Sequence, residues 1–190
     1  ESIARNITNV RAVINFVLRE DGLPTNSAFS GVYLGEVGAP KKRYVPTASE
    51  LKTLQQLCRA QDDELRWIIG IILDTGMRLS EAIGLSKDDL FLGSDIPHLR
   101  VMPRPWRRLK TSGSERLIPL VGMSLWAAQK ASEASESHFV FPKYCSEMKV
   151  SSNSASAALN KWLQSNINSE IVVHSFRHAM RDRLRNIECP

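Results

Sequence analysis

Cysteine is scarce in this sequence, and the three cysteines show no pairing pattern. Cys58, Cys145 and Cys189 are odd in number and lack the paired spacing of a zinc site. The sequence therefore predicts neither a disulfide framework nor a bound metal ion. Reduced thiols are typical of the cytosol, so we expect a cytoplasmic protein.

Long apolar segments are also missing. The longest strongly apolar run covers residues 67–73, whereas a membrane-spanning helix needs about 20 apolar residues. The amino terminus has no basic segment leading into an apolar core, so it does not resemble a secretory signal. These features predict a soluble, intracellular protein with no membrane partner.

Acidic residues are fewer than basic ones. The chain has 25 Lys and Arg against 20 Asp and Glu, which gives a formal net charge of +5. A positive balance suits a polyanionic partner such as nucleic acid, but many basic proteins bind none, so the charge alone leaves DNA binding open. With 190 residues of which 43% are hydrophobic, the chain is long enough for one main core with an appended piece.

The pattern of apolar residues divides the chain into three parts. Residues 1–20 carry apolar side chains every three or four positions, which predicts an amphipathic helix that Gly22 and Pro24 end. Residues 21–45 are rich in glycine and proline and contain the basic run 41–43, so we interpret them as a basic linker with a solvated charge run. Residues 46–190 form the main domain.

Helical periodicity dominates this main domain. Thr47 and Glu50 have the spacing of a capping box and predict the start of one helix. Further helical patterns cover residues 62–74, 80–85, 124–134, 152–164 and 175–185. Two short extended stretches, 98–102 and 116–120, flank turn-forming residues 111–114 and predict a hairpin. The predicted fold class is mainly α with a small antiparallel β-sheet.

Arg78 lies between an almost wholly apolar helix pattern and an amphipathic one. A guanidinium at such a junction is costly unless an anion meets it. Glu81 lies three residues further on, so it can hold one side of Arg78 and leave other donors free for a ligand phosphate. A purely structural ion pair between these two residues explains the segment equally well.

His174 and Arg177 form a second candidate pair, because a spacing of three places them on one face of a helix. They offer one permanent cation and one imidazole that can donate to a phosphate oxygen or move a proton near neutral pH. The alternative is a solvated basic helix, which Arg181, Arg183 and Arg185 would continue.

Lys110 is a third candidate because it precedes the predicted hairpin turn, from which an ammonium group can reach a leaving oxygen. Its alternative interpretation is a solvated loop lysine that contacts phosphates nonspecifically together with Arg104, Arg107 and Arg108.

Taken together, these segments resemble the tyrosine recombinase, or phage integrase, family. Residues 75–85 resemble the first conserved box of that family, and residues 174–178 resemble the second. Arg177 follows Arg78 by 99 positions (177 minus 78), and the lysine hairpin lies between them, as in the family. The likeness covers residues 46–190, and residues 1–20 resemble the last helix of the core-binding domain that precedes the catalytic domain in this family.

The resemblance implies a tyrosine recombinase catalytic fold, which breaks and rejoins DNA without a metal or other cofactor. By resemblance, Arg78, His174 and Arg177 would hold the scissile phosphate, and Glu81 would brace Arg78. Lys110 would protonate the departing 5′ oxygen while a tyrosine forms a 3′-phosphotyrosyl link. The implied function is site-specific recombination, integration or excision of a mobile element, on double-stranded DNA by a homotetramer assembled on paired sites.

The sequence departs from the family pattern in its tyrosines. Tyr33, Tyr44 and Tyr144 all precede His174, whereas the family nucleophile follows the second box. We therefore expect residues 46–190 to be a truncated catalytic domain with no nucleophile of its own, inactive when alone. The alternatives are a non-catalytic DNA-binding remnant of the same fold, a type IB topoisomerase, and a helical interaction protein whose charge is incidental.

Overall fold

The computed structural model describes residues 2–24, 31–32, 44–109 and 112–188. The chain divides into two compact units, residues 1–42 and residues 43–190. Most of the predicted linker, the basic run 41–43, and the residues Lys110, Thr111 and Cys189 lie outside the described residues.

The amino-terminal unit contains helix α1 (Ser2–Glu20). Its amphipathic pattern agrees with the helix that the sequence predicts. Gly22 follows with φ of 65°, a left-handed conformation that glycine adopts without strain, and the backbone N–H of Leu23 donates to the carbonyl of Leu18 at 2.8 Å.

The described residues of the carboxy-terminal unit form six further α-helices and three strands, and this confirms the predicted fold class. These elements are α2 (Ala48–Gln61), α3 (Glu64–Thr75), α4 (Leu79–Ile83), β1 (Leu90–Phe91), β2 (His98–Val101), β3 (Arg116–Pro119), α5 (Gly122–Ala134), α6 (Ser152–Asn166) and α7 (Val173–Asn186). None of the helices in the described part of the chain combines the length and the apolar character that a membrane span requires.

Helix α3 forms the centre of this unit. Its residues 68–73 are all buried, as expected for a helix that is apolar on every side, and it packs against α2, α5 and α7. Gly70 allows α3 and α5 to pack closely, since a Cβ atom there would lie 2.8 Å from the Cβ of Ala127 on α5. Asp63 caps the start of α3 by accepting from the backbone N–H of Arg66. The helix therefore begins two residues later than the sequence pattern predicts.

The strands form one antiparallel sheet in the order β1-β2-β3. Strands β2 and β3 pair with Leu99 opposite Ile118 and Val101 opposite Arg116, which confirms the two predicted extended stretches. Strand β1 was not predicted, because two residues are too few to produce an alternating pattern.

The connection between β2 and β3 differs from the predicted solvated loop. Arg107 is only 1% exposed and pairs with the buried carboxylate of Asp89 at 3.1 Å. It also donates to the carbonyl oxygens of Gly84 at 3.0 Å and Met102 at 2.9 Å. Arg104 holds the other oxygen of Asp89 at 2.6 Å. The interpretation of Arg107 as a solvated phosphate contact was thus wrong, because a buried carboxylate and several carbonyls meet its charge.

Candidate active site

Arg78 lies at the start of α4, immediately after the turn that ends α3. Its Nη1 donates to Oε1 of Glu81 at 2.7 Å, and its backbone N–H donates to Oε2 of Glu81 at 2.9 Å. The side chain of Arg78 is 29% exposed, whereas that of Glu81 is 2% exposed. The junction is therefore partly open, with the carboxylate inside and the guanidinium at the surface.

Gly76 connects this junction to α7. It adopts φ of 60°, and its carbonyl oxygen accepts a hydrogen bond from Nη1 of Arg177 at 2.7 Å. A Cβ atom at Gly76 would lie 3.0 Å from the Cβ of Met180, so the turn and α7 are in close contact. The turn that places Arg78 thus also orients Arg177, although the two arginines are 99 positions apart in sequence (177 minus 78).

Helix α7 carries His174 in its first turn and Arg177 one turn later, so the spacing does place them on one helix. Phe176, which lies between them in sequence, is fully buried and anchors the helix against the core. Asn160 on α6 accepts the backbone N–H of Val173 at 2.9 Å and thereby caps α7. The amino-terminal end of a helix carries partial positive charge, which favours an anion beside His174.

Two further residues join the site that the sequence reasoning did not single out. Arg116 donates from Nη2 to Oε2 of Glu81 at 2.9 Å and from Nη1 to the carbonyl of Ser114 at 2.7 Å. The hydroxyl of Ser114 accepts from Nη1 of Arg78 at 3.3 Å. Strand alternation was the available signal, because Arg116 and Ile118 occupy the half-buried positions of β3 while Leu117 is 62% exposed. An arginine in the inward phase of a strand requires a partner.

The electrostatics of Glu81 follow from these contacts. Burial alone would raise the pKa of its carboxyl group, but hydrogen bonds from Arg116 and Arg78 outweigh burial and hold the pKa below its ordinary value. Glu81 is therefore charged at neutral pH and offsets part of the positive charge around it.

The surroundings of Arg177 differ from those of Glu81, because cations outnumber carboxylates around it. Burial lowers the pKa of its guanidinium, and the nearby charges of Arg78, Arg116 and Arg181 lower that pKa further, while Glu81 opposes them. Arginine remains protonated despite such a shift. Burial is the largest cause of the shift, and three neighbouring cations against one carboxylate add to it. An added anion would offset that local positive charge.

Two clefts open beside this cluster, and His174 and Arg177 line both of them. The first has a volume of about 340 Å³ and is lined by Met77, Leu79, Ser156, Asn160, Val172, Val173, His174 and Arg177. The second has a volume of about 290 Å³ and is lined by Thr75, Gly76, His174, Arg177, His178, Met180, Arg181 and Leu184. The His174 ring also packs edge-on against that of His178, with centroids 4.9 Å apart.

Of the five residues that the sequence singles out, the structure brings four into one region of the carboxy-terminal unit. Arg78 contacts Glu81, Arg177 contacts the turn before Arg78, and His174 shares both clefts with Arg177. Lys110 lies outside the described residues.

Solved structures with the same fold include three DNA recombinases. The Tn1549 transposon integrase in complex with a circular intermediate DNA matches with a TM-score of 0.68 at 16% identity, over 99% of this chain and 68% of that one. A lambda integrase dimer bound to a core site matches with a TM-score of 0.61 at 16% identity, over 94% and 51% of the two chains. XerA recombinase matches with a TM-score of 0.59 at 12% identity, over 95% and 69%. At such low identity these likenesses establish the fold.

The family is identified from the sequence. No curated protein matches it closely enough to be informative. Residues 45–190, which are most of the chain, match the phage integrase family. With that match and the recombinase fold together, the chain belongs to the phage integrase family of tyrosine recombinases.

Proposed function

We propose that the protein carries out site-specific recombination by cleaving and rejoining double-stranded DNA through a 3′-phosphotyrosyl intermediate. The observation that carries the proposal is the placement of His174 and Arg177 along two clefts, with the charge of Arg78 close to Arg177. Family membership supports the same reaction class.

Arg78 and Arg177 hold the scissile phosphate in this proposal. Each uses one terminal nitrogen for the protein bonds described above, to Glu81 and to the Gly76 carbonyl, which fixes the direction of its fork. The rest of each guanidinium is offered to the non-bridging oxygens, on which charge accumulates in the transition state. Removing one preorganised donor of this kind lowers a rate by about 10²- to 10³-fold.

His174 and Lys110 serve the proton transfers. The His174 imidazole hydrogen-bonds the phosphate and accepts the proton of the attacking tyrosine hydroxyl. The Lys110 ammonium gives its proton to the 5′ oxygen as the bond from phosphorus to that oxygen breaks. The electron pair of the attacking tyrosine oxygen forms the new bond to phosphorus, so the 3′ side of the strand becomes attached to the protein. Religation runs the same steps in reverse.

The attacking tyrosine is neither Tyr44 nor Tyr144 in this proposal. The Tyr44 hydroxyl donates to Glu50 at 2.6 Å, a hydrogen bond that raises the pKa of Tyr44 to about 12, and Tyr144 is 3% exposed. The cations along the two clefts also suit a second candidate function, a DNA-binding remnant of this fold that has lost its chemistry.

The proposed organisation assigns residues 1–20 to the last helix of a core-binding domain, residues 21–45 to a basic linker and residues 46–190 to the catalytic domain. The proposed partners are duplex DNA and further copies of the protein, four on a pair of sites. The lambda integrase structure named above is of a dimer bound to a core site, which supports association on DNA.

A covalent-trapping experiment tests the function. Protein from the complete reading frame is used to select bound duplexes from fragments of its source genome, and the selected duplexes are incubated with it and denatured. We expect a protein–DNA adduct that Arg177→Ala diminishes by about 10²- to 10³-fold. Specific binding with no adduct in any condition would favour the DNA-binding remnant instead. Absence of salt-sensitive binding would contradict both candidates.

A further inference from the structure

The buried carboxylate of Glu81 is shared by two guanidiniums, and the family resemblance accounts for only one of them. We propose that Arg116 is a positioning residue for the phosphate-binding Arg78 and acts through Glu81. This inference rests on the proposed function, since it assigns a role in the same site.

The contacts of Glu81 define what Arg116 does. Oε1 accepts from Nη1 of Arg78 at 2.7 Å, while Oε2 accepts from the backbone N–H of Arg78 and from Nη2 of Arg116, both at 2.9 Å. Carboxylates favour a bidentate pairing with arginine when both oxygens are available. Arg116 occupies Oε2 and so prevents Glu81 from taking both terminal nitrogens of Arg78. One edge of the Arg78 fork is thereby kept for the phosphate.

Ser114 closes a ring of hydrogen bonds around this pair. Its carbonyl accepts from Nη1 of Arg116 at 2.7 Å, and its hydroxyl accepts from Nη1 of Arg78 at 3.3 Å. The ring Arg78–Glu81–Arg116–Ser114 joins the start of α4 to the start of β3. Ser114 is 5% exposed, so the ring is anchored in the interior on two sides. Each arginine in the ring is thus held at two points.

The charge balance supports the same role. The charged groups facing Glu81 are Arg78 on its own element, Arg116 on β3, Arg107 in the connection between β2 and β3, and Arg177 on α7. Burial raises the pKa of Glu81, and the hydrogen bond from Arg116 is the largest of the contributions that lower it. Removing Arg116 therefore raises the pKa of Glu81 and makes the carboxyl group easier to protonate.

A direct phosphate contact is the competing role for Arg116, because its side chain is 31% exposed. The two roles differ in their dependence on Glu81. If Arg116 acts through Glu81, replacing it causes no further loss of rate once Glu81 is neutral. If Arg116 contacts the phosphate directly, replacing it lowers the rate whether or not Glu81 is charged.

The test is a double-mutant cycle of Arg116→Met and Glu81→Gln in protein from the complete reading frame. The single-turnover rate of adduct formation is measured against pH, and duplex affinity is measured against salt. We expect Arg116→Met to slow cleavage about 10- to 100-fold, as loss of a charge-assisted hydrogen bond does. The acid side of its pH profile shifts to higher pH, the double variant is no slower than Glu81→Gln alone, and the salt dependence of binding is unchanged.

Additive losses, with a slope of log affinity against log salt that falls by about 0.9, would assign Arg116 to a phosphate and overturn the proposal. An unaltered cleavage rate would overturn it as well. If Arg116→Met does not fold, Arg116→Gln, which also removes the charge, is measured in its place, and a rate and pH profile equal to those of the wild type overturn the proposal.

The carboxyl carbon of Glu81 can also be titrated by nuclear magnetic resonance in the folded protein without DNA. Its pKa must rise when Arg116 is replaced, and an unchanged value contradicts the proposal. Failure of the wild type to form an adduct would count against the proposed function alone, since this titration and the salt series do not depend on cleavage.

Discussion

Gly76 combines a backbone requirement with a role in the candidate site. Its φ of 60° is left-handed, its missing side chain leaves room for Met180, and its carbonyl holds Arg177. One residue therefore ends α3, leaves room for α7 and orients Arg177.

Replacing Gly76 with alanine should destabilise the protein. The left-handed conformation costs an alanine about 1–2 kcal/mol, and its Cβ would lie 3.0 Å from the Cβ of Met180. Urea unfolding measures the loss, and duplex affinity reports the displaced Arg177. Gly93→Ala is the matched control, because nothing lies within 4 Å of a Cβ at that position. Equal stability of the two variants would contradict the account.

Tyr44, Glu50 and Asn168 form a polar cluster that ties the start of the carboxy-terminal unit to the loop before α7. Glu50 accepts from the Tyr44 hydroxyl at 2.6 Å and from Nδ2 of Asn168 at 3.0 Å, while completing the predicted capping box with Thr47. Burial alone would raise the pKa of Glu50, but these hydrogen bonds lower it from its ordinary 4.5 to about 2.

The stability contributed by this cluster should be lost in acid. Because the folded-state pKa of Glu50 is depressed, its contribution is complete above the ordinary pKa of 4.5 and disappears as the pH falls toward about 2. Tyr44→Phe removes the largest hydrogen bond that lowers this pKa. Unfolding midpoints in urea should therefore depend less on pH between 4.5 and 2 in the variant than in the wild type. Parallel curves would refute the assignment.

Single residues also mark the limit of what the sequence could predict. The capping box at Thr47 was predictable, because caps depend on residues close in sequence. The partnership of Arg116 with Glu81 was not, since it joins positions 35 apart (116 minus 81) and depends on the register of β2 and β3. Strand alternation indicated an inward arginine without naming its partner.

At the scale of elements, long periodic segments were predictable and short or irregular ones were not. Helices α2, α3, α5, α6 and α7 fall where their apolar patterns predict. The connection between β2 and β3 was misinterpreted, because polar residues in a turn-rich segment predict solvation and nothing local indicates a buried Asp89. Arg107 there joins this connection to the end of α4 through the Gly84 carbonyl.

Arg107→Met should be severely destabilising. It leaves Asp89, which is fully buried, without one of its two guanidinium partners, and breaking a buried pair in this way costs about 3–5 kcal/mol. Thermal or urea unfolding measures the change. Arg108→Met removes the same charge from an exposed neighbouring position and should shift stability by no more than about 0.5 kcal/mol. Similar losses in both variants would contradict a buried structural role for Arg107.

At the scale of the whole molecule, the excess of positive charge predicts that DNA binding depends on salt. Each neutralised phosphate contributes about 0.9 to the slope of log affinity against log salt. Arg181 is 55% exposed and lines a cleft together with Arg177. We therefore expect Arg181→Ala to lower that slope by about 0.9. Arg59→Ala is the control, because Arg59 stacks on Trp126 away from either cleft. Equal slopes for the two variants would remove Arg181 from the interface.

In the proposed function, Arg78 and Arg177 neutralise the charge of a DNA phosphate. Replacing a non-bridging oxygen of the scissile phosphate with a methyl group removes that charge and with it the need for a guanidinium. The measurement compares adduct formation by the wild type and by Arg177→Ala, in protein from the complete reading frame, on the charged and the methylated duplex. We expect a loss of about 10²- to 10³-fold in the variant on the charged duplex and a much smaller loss on the neutral one. An equal loss on both duplexes would contradict it.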